Sequence, residues 1–528
     1  MTILTSNASA AAPPRAELAE RGAALPAVPE AAAAPPARTL WSRFIILMLC
    51  LAVVLTTLAF GTVHGWSIAA FQLSAGIVFV LWMMDALRTG TLRVSRSLLQ
   101  LPLVGLFALG AVQLVGSVSF DPNATRVALT QIAALGVYFA AALAFVDSPR
   151  RLRLVVRLVV IFGFVLAVYG LMQHFVNPAT IFWVREPKQA QPFGPYVNRH
   201  HFAGYMELTM AVPLGLLFAG AIPRERMLLY GFASGIMAIA LIMTNSRGGV
   251  LSMVAEVMFL AIVAATALRR RRRSEEDRAT RARATLVRLG LGFALIIAVV
   301  LGALYFGGEE ALSRLVGTVN SEDPTTGRAH FWSGTVDIIK DHPLLGAGLG
   351  GFAAAYTRYD TGNGMYRLEQ AHNDYLQILS DGGVVGGALG LAFVGVLFWT
   401  ALRRMQSHDK YRRGVALGAL SGCAGVLVHS FFDFTLHTTA NALCFLVLAA
   451  LATVNGRVEE EPLQDEPQLR RRKRRRRVSS FSGAAVPHRP ADAPASAPAT
   501  ATEPAPVTEP APAPAPAEAA AEGEGAAG

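Results

Sequence analysis

Long apolar runs, each bounded by short polar or basic turns, recur from about residue 43 to about residue 455. They fall at roughly 43–63, 66–87, 98–118, 126–146, 153–175, 202–221, 227–244, 249–268, 288–306, 382–402, 414–432 and 438–455. Each run is near the ~20 apolar residues with which a helix crosses the hydrocarbon core of a bilayer. In hydrocarbon a helix satisfies its own backbone hydrogen bonds and an open strand does not, so helices are the predicted element. The pattern therefore predicts an all-α polytopic membrane bundle of about 12 transmembrane helices.

Two connections are long, about 176–201 and about 307–381. The second contains a possible amphipathic helix from Arg328 to Lys340, a break at Pro343 and the glycine-rich stretch Gly346 to Gly351, which reads as a flexible turn. Its aromatic residues, among them Phe331, Trp332, Phe352, Tyr356 and Tyr375, suit a folded segment. We expect a small helical cap on the outer face, between spans 9 and 10. The domain plan is a disordered cytoplasmic lead (1–40), a transmembrane body (41–456) that includes the large outer loop (307–381), and a tail (457–528). The tail turns acidic, then basic, then Ala/Pro-rich, and its last part reads as disordered. No cleavable signal peptide is expected, because the first apolar run begins only after about forty residues and is long enough to stay in the membrane.

Composition agrees: 53% of residues are hydrophobic and 16% charged, against about 25% charged in soluble domains. The net charge of +11 does not point to nucleic acid, because the basic residues sit in short runs beside apolar segments. With the N-terminus in the cytoplasm, Arg88, Arg93 and Arg96, then Arg150, Arg151 and Arg153, then Arg224 and Arg226, Arg269 to Arg273, and Arg403 to Arg413 all fall on inside turns. Both termini are then expected in the cytoplasm. The run Arg470 to Arg477 faces the anionic inner leaflet or serves as a topology anchor. Cys50, Cys423 and Cys444 lie within apolar blocks at wide spacing, which gives neither a disulfide framework nor a metal signature.

Polar residues near the outer helix ends are the candidates for chemistry. Arg247, in Thr244-Asn245-Ser246-Arg247-Gly248-Gly249, reads either as a guanidinium facing an anion or as an interface anchor. Arg199, in Asn198-Arg199-His200-His201, has the same two readings. The two adjacent histidines do not face one way on a helix, so a metal pair is not expected. His372, in Glu369-Gln370-Ala371-His372-Asn373-Asp374-Tyr375, is of the residue type that most often serves as a general base, with Glu369 or Asp374 to orient it. The alternative is a structural contact pinning the loop to the bundle. Gly346-Ala347-Gly348-Leu349-Gly350-Gly351 is not a dinucleotide site, since no strand precedes it.

Several blocks in order resemble the O-antigen ligase/polymerase superfamily. They are Asn198 to Tyr205, Asn245 to Gly249, Gly327 to Trp332, Asp341 to Gly350, Ala371 to Gln377 and His429 to Phe434. The resemblance covers about 190–450. It implies a GT-C-like inner-membrane glycosyltransferase that takes a glycan from undecaprenyl pyrophosphate at the periplasmic face. The glycan would pass to an acceptor sugar hydroxyl, on another glycan or the lipid A core, by inversion and without metal or cofactor. It also implies His372 as the catalytic residue and Arg199, Arg247 and Arg328 as substrate contacts, and Glu369, Asn373 and Asp374 are expected to bind substrate with them. The acceptor separates an O-antigen ligase from a surface polysaccharide polymerase or a protein O-oligosaccharyltransferase, and no residue identifies it. A polysaccharide transporter or flippase is the rival class. It would call for inverted repeats, broken helices and midplane charges, whereas no repeat is seen and the mid-membrane positions read as largely apolar.

Overall fold

The structure is a computed structural model, and it describes residues 39–188, 190–271, 328–360 and 367–454. The elements are α1 (Leu40–Leu58), α2 (Gly65–Thr89), α3 (Gln100–Val115), α4 (Pro122–Phe145), α5 (Pro149–Val176), α6 (Arg199–Phe218), α7 (Arg224–Met243), α8 (Arg247–Arg271), α9 (Arg328–Asp341), α10 (Phe352–Tyr356), α11 (Asp374–Arg404), α12 (Lys410–His429), a 3-10 turn (Thr435–His437) and α13 (Thr439–Thr453). Each of the expected apolar blocks within the described residues carries one of these helices. The block at 288–306, the N-terminal lead through residue 38, loop residues 307–327 and the tail lie outside them.

Seven described helices, α1, α2, α4, α5, α7, α8 and α11, are long and apolar enough to cross a membrane. Helices α3 and α13 are apolar but shorter, at 16 and 15 residues. The chain is a multi-pass membrane protein whose outer surface is apolar: Leu55, Phe79, Leu101, Ile161 and Leu391 are all more than half exposed. In water such a surface would be an aggregation hazard; against lipid tails it is the expected one.

Local chemistry sets the helix ends. Asp121 accepts from the backbone N–H groups of Asn123 and Ala124, with Pro122 at the first helical position, and so starts α4. At the end carrying the basic turns, Arg93 Nε lies 3.1 Å from Asp85, and Arg151 reaches Asp147 at 3.1 Å and Ser42 at 2.7 Å. The fully buried Arg412 donates to the carbonyls of Leu451, Ala452 and Val454 at 2.9–3.0 Å and closes the C-terminus of α13.

Helices α6, α12 and α13 form the centre. Small residues let α6 and α12 meet backbone to backbone: a Cβ on Gly418 would stand 2.6 Å from the Ala211 carbonyl oxygen, and one on Gly215 would stand 2.2 Å from the Gly418 nitrogen. Lipid tails are as apolar as leucine, so such close packing is a main source of helix association in a membrane.

Beyond the bundle's other end, α9, α10 and the start of α11 make the cap, with a small core of Ile338, Ala347, Phe352, Ala355, Tyr356 and Ala371. Helix α11 is broken at Gly383 (φ 61°, ψ −162°), so its first turns belong to the cap and the remainder to the membrane. The glycine-rich stretch is not the flexible turn its composition suggests. Its backbone is paired to the break, with Ala347 N–H to Ser380 at 2.7 Å and Gly348 N–H to Asp381 at 3.1 Å, and Val384 N–H returns to Pro343 at 2.8 Å. From α3, the buried Gln113 donates to the Leu345 and Asp381 carbonyls and accepts from Leu349 N–H. Glycine is required for close approach: a Cβ on Gly383 would lie 2.2 Å from the Leu344 oxygen.

Candidate functional site

The fold gathers polar side chains where the cap meets the bundle. Asn373 accepts from the N–H groups of Tyr375 and Leu376 at 3.0 Å and starts α11. Immediately before it, His372 takes a left-handed backbone (φ 50°), uncommon outside glycine and a pattern that clusters at functional sites. The ring packs against Phe331 (6.2 Å between centroids) and the edge of Phe434 (4.8 Å). Phe434 also meets His201 at 4.8 Å.

His372 Nδ1 lies 3.2 Å from Oδ1 of Asp433, a residue of the turn after α12. Asp433 is buried, 1% exposed at its side chain, while His372 keeps 27%. The other Asp433 oxygen faces Arg328 Nη2 at 3.5 Å and His200 Nδ1 at 4.0 Å. Arg328 also donates to the Phe432 carbonyl. Burial alone would raise the Asp433 pKa. The hydrogen bond from His372 and the neighbouring His200 and His201 outweigh it and hold the carboxyl well below the usual carboxylate range.

An ionised Asp433 selects the tautomer of His372. It accepts Nδ1–H, and Nε2 is left with a lone pair able to take a proton. This is the orienting arrangement of a carboxylate behind a histidine base.

Arg199 and Arg247 border this cluster through their chain neighbours. His200 follows Arg199, and its Nδ1 is 2.8 Å from Ser246 Oγ. Arg247 opens α8 with its side chain exposed, directly after Ser246. The next residue, Gly248, is so close that an added Cβ would lie 2.8 Å from Phe432 and 3.0 Å from His429. His372, Arg328, Arg199 and Arg247 thus come to one end of the bundle from four separate segments.

The three remaining candidates take other places. Asp374 does not orient His372: its carboxylate accepts from His437 at 2.7 Å, Ser430 at 2.8 Å and the Leu436 N–H at 3.3 Å, tying the start of α11 to the turn before α13. Partial burial lowers the His437 pKa, but the hydrogen bond and charge of Asp374 outweigh it, so it stands above the usual histidine value. Asn373 spends its side chain on the helix cap and, through Nδ2, on the Phe431 carbonyl at 3.1 Å. Glu369 is exposed.

Asp433 was given no role from sequence, although its block was singled out. Its distance of 61 positions from His372 hides the pairing from any local pattern. Also missed were buried carboxylates inside the bundle. Glu207 (0% exposed) and Glu256 (1%) sit among apolar neighbours that mask a lone charge in a hydropathy reading. The mid-membrane interior is therefore not uniformly apolar.

Residues 232–391 match the family model described as O-Antigen ligase. The match runs from α7 into α11 and takes in Arg247, Arg328 and His372, while Arg199, His200 and Asp433 lie outside it. No curated protein matches the sequence. Over that stretch the chain is similar to the O-antigen ligase family.

Proposed function

We propose that the protein transfers a glycan from undecaprenyl pyrophosphate to an acceptor sugar hydroxyl at the periplasmic face of the bacterial inner membrane, as an O-antigen ligase or surface polysaccharide polymerase. The observation that carries this reading is the His372–Asp433 pair, set beside Arg328 at the end of the bundle where Arg199 and Arg247 also lie.

In the proposed reaction His372 Nε2 takes the proton of the acceptor hydroxyl. The freed oxygen attacks the anomeric carbon of the donor, and the carbon–oxygen bond to the pyrophosphate breaks with its electron pair leaving on the phosphate. Attack opposite the leaving group inverts the anomeric centre. Negative charge grows on the pyrophosphate as the bond breaks, where preorganised guanidinium groups act most effectively. Arg247, exposed at the N-terminus of α8, and Arg199 are assigned to that diphosphate. Arg328 is assigned mainly to Asp433, which it helps keep ionised, and only its remaining donors to substrate. Asn373 and Asp374 act by fixing the loop that carries His372.

Orientation follows from charge. The basic turns lie at the end of the bundle opposite the cluster, so the cytoplasm is assigned to that end and the periplasm to the cap. With the block at 288–306 counted as a span, the expected twelve crossings assign both termini to the cytoplasm.

The test is turnover of a synthetic polyprenyl-pyrophosphate glycan by the purified full chain in detergent, where transport has no meaning. A new glycosidic product, with release of polyprenyl pyrophosphate, is expected. Absence of product with every glycan acceptor offered, from protein that melts cooperatively, overturns the reading.

A further inference from the structure

Below the outer cluster the bundle contains a second group of titratable side chains with no part in glycan transfer. Glu207 on α6, Glu256 on α8 and His429 at the end of α12 are each 1% exposed or less. His429 Nδ1 lies 2.8 Å from Glu207 Oε1. Glu256 packs one turn deeper along the same face of α12, where an added Cβ on Gly425 would stand 3.0 Å from its Oε2. Neither Glu256 oxygen and neither Glu207 oxygen has a formed hydrogen bond among the described residues, and the Glu207–His429 contact is a close approach of opposite charges.

Two ionised carboxylates are not tolerated side by side in so apolar an interior. An unpaired buried charge is costly, and intramembrane ionisable groups are retained for a task. One imidazolium can offset only one of the two carboxylates. The cheapest occupant of the group is a proton.

The group is also wired outward. Ser246 Oγ is 3.5 Å from His429 Nε2 and 2.8 Å from His200 Nδ1, and His200 reaches Asp433, the partner of His372, at 4.0 Å. We propose that Glu207, Glu256 and His429 form an intramembrane proton-binding site that exchanges its proton with the outer cluster through Ser246 and His200.

The transfer balances at every atom. The Glu207 acid gives its proton to His429 Nδ1, and His429 Nε2–H passes one to Ser246 Oγ. Ser246 in turn hands its own hydroxyl proton to His200 Nδ1. Glu207 ends as the carboxylate and His200, one quarter exposed, as the imidazolium that releases to water. The titratable groups acting on this path are Glu207 and Arg199 from the α6 side, Glu256 from α8, Arg328 from α9, and Asp374 and Asp433 at the outer end. The inference does not require glycan transfer, so its test is separate from that of the proposed function.

The experiment is infrared spectroscopy of the full chain in lipid nanodiscs at neutral pH, without substrate. A neutral carboxylic-acid carbonyl band that shifts in heavy water is expected, lost when Glu207→Gln and Glu256→Gln are combined. Ser246→Ala is expected to keep the band and slow its deuterium shift severalfold. Absence of the band in the wild type, its survival in the double variant, or an unchanged exchange rate in Ser246→Ala overturns the proposal. The wild-type measurement decides even where a variant fails to fold.

Discussion

His372 Nδ1 stands 3.2 Å from Asp433 Oδ1, joining the loop before α11 to the turn after α12. One hydrogen bond thereby fixes both the ring's orientation and its tautomer. Asp433→Asn keeps the shape and removes the charge. The expected outcome is a fall in kcat for glycan transfer of between about a hundredfold and ten-thousandfold, the span of a general base, with KM for the donor nearly unchanged. Steady-state kinetics on the purified variant check this, and an unaltered kcat contradicts the orienting role.

Arg328 faces both the Asp433 carboxylate and the Phe432 carbonyl. A rigid planar fork holds two acceptors at a fixed spacing, which a single ammonium nitrogen does not reproduce. Arg328→Lys is therefore expected to recover only part of the activity lost in Arg328→Ala, read as initial rates at saturating donor. Equal rates for lysine and arginine would mean that charge alone matters there.

Arg247 is exposed while Ser246 beside it is buried. A side chain so placed is open to a ligand arriving from outside, the role proposed for it. Arg247→Ala is expected to weaken donor binding at least about tenfold, or ~1.4 kcal/mol, and to leave the melting temperature in place. Titration with a polyprenyl pyrophosphate measures the loss.

The Asp374–His437 pair gives a pH dependence with a definite sign. The folded-state pKa of His437 is raised, so its contribution to stability is fully present below the unfolded value of about 6.5 and is lost as pH rises through the folded value. The melting-temperature gap between wild type and His437→Gln is expected to be widest near pH 5 to 6 and to close at higher pH. The effect is small, because the side chain is 36% exposed and solvent screens it.

Gly383 has φ 61° and no room for a Cβ beside Leu344. With ψ at −162° this backbone is open essentially to glycine alone and costs an L-residue about 1–3 kcal/mol, and the clash adds to it. Gly383→Ala is expected to lower the melting temperature and to reduce transfer by shifting the cap that carries His372.

Much of this architecture could be read from the chain and some could not, for physical reasons. Bilayer thickness fixes the length of each apolar run, so helix positions were legible, as was the cap helix from Arg328. The break within α11 came where the apolar block was expected to begin, at residue 382. Partnerships were not legible. Asp374, two residues from His372 in sequence, is turned toward His437, while Asp433 returns to the same end only after two helices, α11 and α12. Glu207 and Glu256 escaped because one carboxylate barely changes the hydropathy of a twenty-residue window. The glycine-rich stretch looked loose because composition records what a segment permits, not the Gln113 side chain that holds it.

The most direct measurement is single-turnover glycan transfer by His372→Ala, in lipid nanodiscs, with a polyprenyl-pyrophosphate donor and a matched acceptor. No product above the uncatalysed background is expected, with donor binding and melting temperature both retained. A variant that transfers glycan at the wild-type rate would contradict this expectation.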